Sequence, residues 1–209
     1  MTSDQGLIRI DAVVFDLGGV LIDWHPRHLY RRLFDGDERA VQHFLNDVCT
    51  ADWIRQQDMG KPVAQAVAEL AQRFPEHAHL ITKYDTCWEE MLAGPLDESV
   101  LVVAHLHRAG RAIYGLTNLP SEKYPLLRRR LDFLDCFQGV LVSGDVGCAK
   151  PDPEIYRRLI ATHGLAPETT LYFDDVWANV AGARAVGMHA FQFSSAKQLR
   201  ADLDAFGLL

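Results

Sequence analysis

The sequence lacks the features that mark several large classes of protein. Its 209 residues hold no apolar run near the roughly 18 residues of a membrane span. The first residues, Met1-Thr2-Ser3-Asp4, lack the basic segment of a secretion signal. With 21 basic and 28 acidic residues the net charge is -7, which is the wrong sign for neutralising a phosphate backbone. We therefore expect a cytoplasmic protein with no membrane partner and no nucleic-acid partner.

Cysteine is also scarce. The chain has four, with no Cys-x-x-Cys pair, so we expect neither a zinc knuckle nor a redox dithiol. We expect free, mostly buried thiols at Cys49, Cys87, Cys136 and Cys148. The length and the 48% of hydrophobic residues fit one globular domain, or one domain that carries a large insertion.

What the chain does contain is an alternation of apolar runs and helical patterns. The runs of strand length are 12–17, 112–116, 140–143, 170–173 and 189–193. The helical patterns at 98–109 and 178–186 are followed by Gly110 and Gly187, and a glycine in the left-handed region commonly ends a helix. This alternation predicts parallel βαβ units in a doubly wound sheet, whose ligands gather at the carboxyl ends of the strands.

Residues 22–94 interrupt the alternation. They show no convincing strand and contain several amphipathic helical patterns, of which 63–73 is the clearest. We therefore predict a helical insertion into an α/β core.

Acidic residues follow two of the predicted strands. Asp16 ends the first strand, and Asp174 and Asp175 end the fourth. A role in a turn or a helix cap would explain any one of them. A carboxylate after a buried strand is poorly solvated, however, unless it is paired or bound to a cation. Three carboxylates at strand ends therefore favour a common site.

Further polar residues follow the other strands. Thr117 and Asn118 come after the second strand, and Lys150 precedes a helix that Asp152 would cap and Pro153 would begin. That position suits an anion. Together with the carboxylates, these groups are what phosphoryl transfer to an aspartate requires. The aspartate attacks phosphorus, Mg²⁺ offsets the repulsion between the anions, and the lysine and hydroxyl hold the phosphoryl oxygens.

Four segments in chain order resemble the motifs of the haloacid dehalogenase superfamily. They are Phe15-Asp16-Leu17-Gly18-Gly19-Val20-Leu21, Leu116-Thr117-Asn118, Lys150-Pro151-Asp152-Pro153-Glu154-Ile155-Tyr156 and Phe173-Asp174-Asp175-Val176-Trp177-Ala178-Asn179. The resemblance is to small phosphatases with a helical cap, related to sugar-1-phosphatases and to the amino-terminal domain of soluble epoxide hydrolases. It implies a Rossmann-like three-layer α/β/α core with a parallel sheet from residues 1–21 and 95–209, covered by an α-helical cap from residues 22–94.

The resemblance also implies catalytic roles. Asp16 would be the nucleophile that forms an aspartyl-phosphate. Thr117 and the amide of Asn118 would hold the phosphoryl group, and Lys150 would neutralise it and orient Asp16. The implied activity is hydrolysis of a small phosphorylated metabolite, such as a sugar phosphate, by a monomer or homodimer.

The resemblance also implies which residues bind the metal and which residues of the cap face the site. Mg²⁺ would be held by Asp16, Asp175 and the carbonyl of Gly18, with Asp174 acting through a metal-bound water. Trp24 and His25, which leave the first motif directly, are expected to contact the substrate. The segment 53–60 resembles a part of the cap that faces the site.

One departure from the family pattern affects the mechanism. Many of these phosphatases have a second Asp two residues after the nucleophile, which acts as general acid and base, and Gly18 stands there in this chain. Its absence predicts a preference for esters with acidic leaving groups. It also leaves open a non-catalytic binding or regulatory protein on the same fold. A dehalogenase of 2-haloacids is a further alternative, although such enzymes have neutral serines in place of Asp174 and Asp175.

Overall fold

The computed structural model describes residues 9–209. Within that range the strands are β1 (Ala12–Phe15), β2 (Ile22–Trp24), β3 (Leu92–Pro95), β4 (Ala112–Thr117), β5 (Gly139–Val142), β6 (Thr170–Asp174) and β7 (His189–Gln192). The first five helices are α1 (Pro26–Leu33), α2 (Glu38–Asp47), α3 (Ala51–Asp58), α4 (Val63–Arg73) and α5 (Ala78–Thr86). The other helices are α6 (Asp97–Arg108), α7 (Tyr124–Arg130), α8 (Ser143–Val146), α9 (Pro153–His163), α10 (Trp177–Ala185) and α11 (Ala196–Ala205). Short 3₁₀ turns occupy Pro75–His77, Trp88–Met91, Ser121–Lys123, Asp132–Cys136 and Pro167–Thr169.

Five strands form one parallel sheet in the order β5-β4-β1-β6-β7. Strand β1 lies in the middle, with Phe15 opposite Gly115 of β4 on one side and opposite Phe173 of β6 on the other. All four residues of β1 are buried, as expected for a strand covered on both faces. The predicted parallel α/β sheet is confirmed.

Side chains of β1 alternate between two helical layers. Phe15 packs in a cluster that includes Val102 of α6 and Leu203 of α11. Val14 belongs to a separate cluster that includes Tyr156 of α9 and Val180 of α10. Because successive side chains of a strand point to opposite faces of the sheet, these clusters lie on either side of it. The three-layer arrangement predicted from the sequence is therefore present.

The predicted helices form close to their expected positions. Asp152 caps α9 by accepting a 2.9 Å hydrogen bond from the amide of Glu154, and Pro153 is the first helical residue. Gly110 and Gly187 adopt positive φ angles of 71° and 92° after the ends of α6 and α10. Of the four thiols, which are all free, only that of Cys49 is fully buried.

The expectation that residues 22–94 hold no strand was wrong. Strands β2 and β3 form an antiparallel pair at the two ends of this segment, with Ile22 opposite Pro95 and Asp23 opposite Gly94. Glycine and proline weaken the strand pattern of β3. The pair forms because folding brings distant residues together, which local periodicity does not report.

Helices α1–α5 lie between β2 and β3 and share a buried interior that includes Tyr30, Phe44 and Ile81. Thr50 begins α3 by accepting a hydrogen bond from the amide of Trp53. In the part of the chain that the structure describes, no helix has the length and hydropathy needed to cross a membrane.

Candidate active site

The predicted site residues meet at the carboxyl end of the sheet. Asp16 directly follows β1, Thr117 ends β4, and Asp174 ends β6. Because β4 and β6 are the two neighbours of β1, these side chains flank Asp16. The three are buried, with 7% or less of each residue exposed.

Lys150 lies at the centre of this cluster. Its ammonium is 2.8 Å from Asp16 Oδ2 and 2.7 Å from Asp174 Oδ2, and it donates a 3.1 Å hydrogen bond to the carbonyl of Leu116. The residue is 1% exposed. A buried ammonium is costly without anionic partners, and this one has two, so all three of its N–H donors are engaged.

Asp174 is held by several donors. Its Oδ1 accepts hydrogen bonds of 2.9 Å from the amide of Val176 and from Asn179 Nδ2, and its Oδ2 accepts from Tyr172 as well as from Lys150. Burial alone would raise the pKa of Asp174, but the Lys150 ammonium and these hydrogen bonds hold it below the ordinary value. Asp174 is therefore ionised and fixed in place.

Asp16 has fewer partners. Its Oδ1 accepts a 2.6 Å hydrogen bond from the amide of Leu17, and its Oδ2 faces Lys150. Burial raises the pKa of Asp16 to about 8, an effect that the charge of Asp174 reinforces and that the ammonium of Lys150 opposes. A cation bound beside Asp16 would lower the pKa of this carboxyl and so favour its ionised form.

The carboxylates suit a hard divalent cation. One oxygen from each of Asp16, Asp174 and Asp175 lies within 4.8 Å of the others, and an all-oxygen set matches the preference of Mg²⁺. Gly19, at a φ of 75°, lets the backbone approach this cluster closely, since a Cβ there would lie 2.4 Å from Asp175 Oδ2. The residues present therefore fit the predicted metal.

The loop that carries Lys150 is fixed from two directions. Asn118 Oδ1 accepts a 2.9 Å hydrogen bond from the Lys150 amide, and Asn118 Nδ2 donates a 3.1 Å bond to the Lys150 carbonyl. Arg55 of α3 donates a 2.9 Å bond to the same carbonyl. The side chain of Asn118 therefore holds the loop in place. The group of Asn118 that is predicted to contact the phosphoryl group is its backbone amide.

A cavity of about 60 Å³ opens beside these residues. Gly18, Thr117 and Asn118 line it on the side of the sheet. Much of the remaining wall is apolar and includes Ile22, Trp24, Trp88, Leu92, Leu119 and Leu127. The wall also includes two titratable side chains, Asp58 and Tyr84.

The structure divides the residues expected from the cap. Trp24 lines the cavity, whereas His25 does not and instead caps α1 by accepting a 2.9 Å hydrogen bond from the amide of Arg27. Trp53 is buried away from the cavity and donates to the carbonyl of Ala66. The only part of segment 53–60 that lines the cavity is Asp58.

Arg55, Asp58 and Tyr84 lie near the site but were not named individually from the sequence. Arg55 and Asp58 belong to segment 53–60, which was expected to face the site, whereas Tyr84 on α5 was not expected there. The spacing of Arg55 and Asp58 was the sequence signal that could have identified them together, because residues three apart lie on one face of a helix.

The chain matches the haloacid dehalogenase-like hydrolases over residues 10–187 and belongs to that family. It is therefore an enzyme of the hydrolase class. The phosphatase MT3486 from Mycobacterium tuberculosis is 28% identical over 216 residues, which cover 97% of each chain. The sesquiterpene phosphatase AstK from Aspergillus oryzae is 26% identical over 182 residues, covering 85% of this chain and 86% of the relative.

A solved structure with the same fold is that of the HAD family enzyme BT-2542 from Bacteroides thetaiotaomicron, in complex with magnesium and inorganic phosphate. It matches with a TM-score of 0.69 and 21% identity, covering 88% of this chain and 94% of the other. At this identity the comparison establishes the shared fold.

Proposed function

We propose that this enzyme is a Mg²⁺-dependent phosphomonoester hydrolase that works through an aspartyl-phosphate on Asp16. The observation that carries the proposal is the buried Lys150 ammonium, which bridges Asp16 and Asp174 beside a cavity also lined by Thr117. This arrangement places the Asp16 nucleophile beside a positive charge that can balance the negative charge of an incoming phosphoryl group. The phosphatase relatives support the same reaction.

Each residue has a task in this reaction. Asp16 attacks phosphorus with a carboxylate oxygen, while Thr117 and the backbone amide of Asn118 hold the phosphoryl oxygens. Lys150 keeps Asp16 oriented and balances the negative charge. Asp16, Asp175 and the Gly18 carbonyl would hold Mg²⁺ directly, and Asp174 would act through a water. When bound, the cation offsets the repulsion between the carboxylates and the phosphoryl group.

Residues 22–94 are proposed to be a cap over this site. Polar contacts join them to the rest of the chain, among them the hydrogen bond of Arg55 to the Lys150 carbonyl. Lys123 pairs with Asp85 at 2.5 Å, and the amide of Val63 donates a 3.0 Å hydrogen bond to Glu122. Helices held at their margins by a few polar contacts are suited to opening for substrate and closing to exclude water.

The two alternatives are less well supported. In a dehalogenase with neutral residues at 174 and 175, the Lys150 ammonium would lose one of its two carboxylate partners. In a protein without catalytic activity, three carboxylates and a lysine would not need to converge beside a cavity.

A phosphate-release assay tests the proposal. We expect the purified protein to release inorganic phosphate from 4-nitrophenyl phosphate with Mg²⁺ and to lose that activity in EDTA, because carboxylates about 4 Å apart repel by several kcal/mol without a cation. Readdition of Mg²⁺ should restore the activity. Full activity in EDTA, or release of halide from 2-chloropropionate, would favour the dehalogenase instead.

The cavity also bears on the substrate. The sequence suggested a small phosphate such as a sugar phosphate, but most of the wall is apolar. The polar side chains of that wall are few, and that of Asn118 is already occupied by the backbone of Lys150. A polyhydroxylated group needs many hydrogen-bond donors and acceptors. We therefore propose that the organic part of the substrate is apolar, which is in line with the substrate named for AstK.

Chain length should reveal this preference. Across n-alkyl phosphates of increasing length we expect kcat/KM to rise about fourfold per methylene, from about 0.8 kcal/mol for each buried CH₂, until the cavity is filled. Propyl phosphate and glycerol 3-phosphate form a matched pair that differs by two hydroxyls, and the propyl ester should be the better substrate. A higher kcat/KM for glycerol 3-phosphate would contradict an apolar substrate.

A further inference from the structure

The position two residues after the nucleophile faces open space. A Cβ built on Gly18 would meet no atom within 4 Å, and Gly18 lines the cavity. The backbone there does not require glycine, because its φ is not positive. The site therefore has room for an acid at this position but no group that supplies a proton.

The other charged residues of the cluster are poor sources of that proton. Both carboxyl oxygens of Asp174 already accept hydrogen bonds, Oδ1 from Val176 and Asn179 and Oδ2 from Tyr172 and Lys150. Lys150 uses its three N–H groups on Asp16, Asp174 and the Leu116 carbonyl. Asp16 is itself the nucleophile. Asp175, the remaining carboxylate of the cluster, does not line the cavity, so the cavity wall is the next candidate source of a proton for the leaving group.

Asp58 is the carboxylic acid in that wall. It is the last residue of α3, and Arg55, three residues earlier, donates a 2.9 Å hydrogen bond to the carbonyl of Lys150. The last turn of α3 is thus attached to the residue whose ammonium touches the nucleophile. Asp58 and Gly18 line the same cavity, so a leaving group that occupies it meets both residues on its wall.

We infer that Asp58 is the general acid and base of the reaction, in place of the carboxylate that is absent at Gly18. This inference rests on the proposed phosphatase function. In the first step the Asp16 carboxylate forms a bond to phosphorus, and the P–O bond to the leaving group breaks. The electron pair stays on the leaving oxygen, which takes the proton of Asp58, so that an alcohol departs and Asp58 becomes a carboxylate. In the second step that carboxylate takes a proton from water as the water oxygen attacks phosphorus and the P–O bond to Asp16 breaks.

The surroundings of Asp58 suit this cycle. Burial raises its pKa to about 7, against the opposing charges of Arg55 and Lys150, and Tyr84 is the other titratable group beside it. Its carboxyl accepts no hydrogen bond from the described residues. An acid with a pKa near the working pH exchanges a proton most effectively.

The test compares two substrates in the Asp58→Asn variant. With an alkyl phosphate, whose leaving group needs a proton, we expect kcat/KM to fall about 10²–10⁴-fold, the usual effect of removing a positioned general acid. With 4-nitrophenyl phosphate, whose leaving group is stable as an anion, the fall should be less than about fivefold, which also shows that the variant is folded. Asp52→Asn on the same helix, where Asp52 is exposed, is the control and should change neither rate.

Restoring a carboxylate at the open position extends the test. Adding Gly18→Asp to Asp58→Asn should recover at least about tenfold of the lost rate on the alkyl ester. Equal losses on both esters, or no loss on either, would overturn the role of Asp58 while leaving the phosphatase proposal intact. Selective loss in Tyr84→Phe but not in Asp58→Asn would assign the proton to Tyr84. No phosphate release from either ester by the unmodified protein would overturn both proposals.

Discussion

Replacing Asp16 by Asn is expected to reduce phosphate release from every ester by about 10⁴-fold or more, a loss seen when covalent nucleophiles are removed. The amide has the shape of the carboxylate but cannot attack phosphorus. Asp174 remains as an anionic partner for Lys150 at 2.7 Å, so the cluster keeps an ion pair and the variant should fold.

The same experiment can detect the intermediate. Rapid acid quench of the unmodified enzyme during turnover should give a protein heavier by one phosphoryl group, and Asp16→Asn should give none. Asp11→Asn is a matched control, because Asp11 directly precedes β1 at the opposite end of the strand and pairs with exposed Arg9. Persistent turnover in Asp16→Asn, or a phosphorylated protein in that variant, would mean that another residue is the nucleophile.

Replacing Lys150 by Met is expected to lower the free energy of unfolding by about 3–5 kcal/mol in EDTA, the usual result of removing one partner from a buried ion pair. The loss arises because two buried carboxylates, Asp16 and Asp174, are left without their shared counterion. Activity should be lost as well. Added Mg²⁺ should restore part of the stability, since it replaces a positive charge beside the same carboxylates.

Urea unfolding measures this effect. Lys61→Met is the matched control, because Lys61 pairs with Glu69 at 2.5 Å on the surface, and such pairs contribute at most about 1 kcal/mol. If the two lysine variants unfolded at similar urea concentrations, the Lys150 pairing would not stabilise the fold and its role would be confined to catalysis.

Much of the core was predictable because its signals are local. The strand that precedes Asp16 is a continuous apolar run, and the carboxyl ends of parallel strands lie at one edge of the sheet. Strand order was not needed to expect that Asp16, Thr117 and Asp174 would meet. The same reasoning predicted α9, since Asp152 and Pro153 are start signals that act within one helical turn.

The parts that were missed depend on distant contacts. Strand β2 is three residues long and pairs with β3 only because the ends of residues 22–94 meet. His25 was expected at the substrate because it follows the first motif, but its ring nitrogen caps α1. Asp58 lies in segment 53–60, which was expected to face the site, but which residue of that segment lines the cavity depends on the folded structure. Sequence periodicity shows which side of a helix is polar, but not what that side meets.

The pairing of β2 with β3 has a consequence for how such a protein can evolve. The chain leaves the α/β core at Leu21 and returns at Leu96, whose amide donates a 2.8 Å hydrogen bond to the Leu21 carbonyl. A cassette whose ends are neighbours can be lengthened, shortened or exchanged without moving the strands that hold the nucleophile. Because Asp58, Trp24 and Trp88 belong to this cassette, an exchange would replace the proton donor together with both tryptophans of the cavity wall. Substrate choice and leaving-group chemistry would therefore be inherited as one unit, separately from the phosphoryl-transfer machinery of the core.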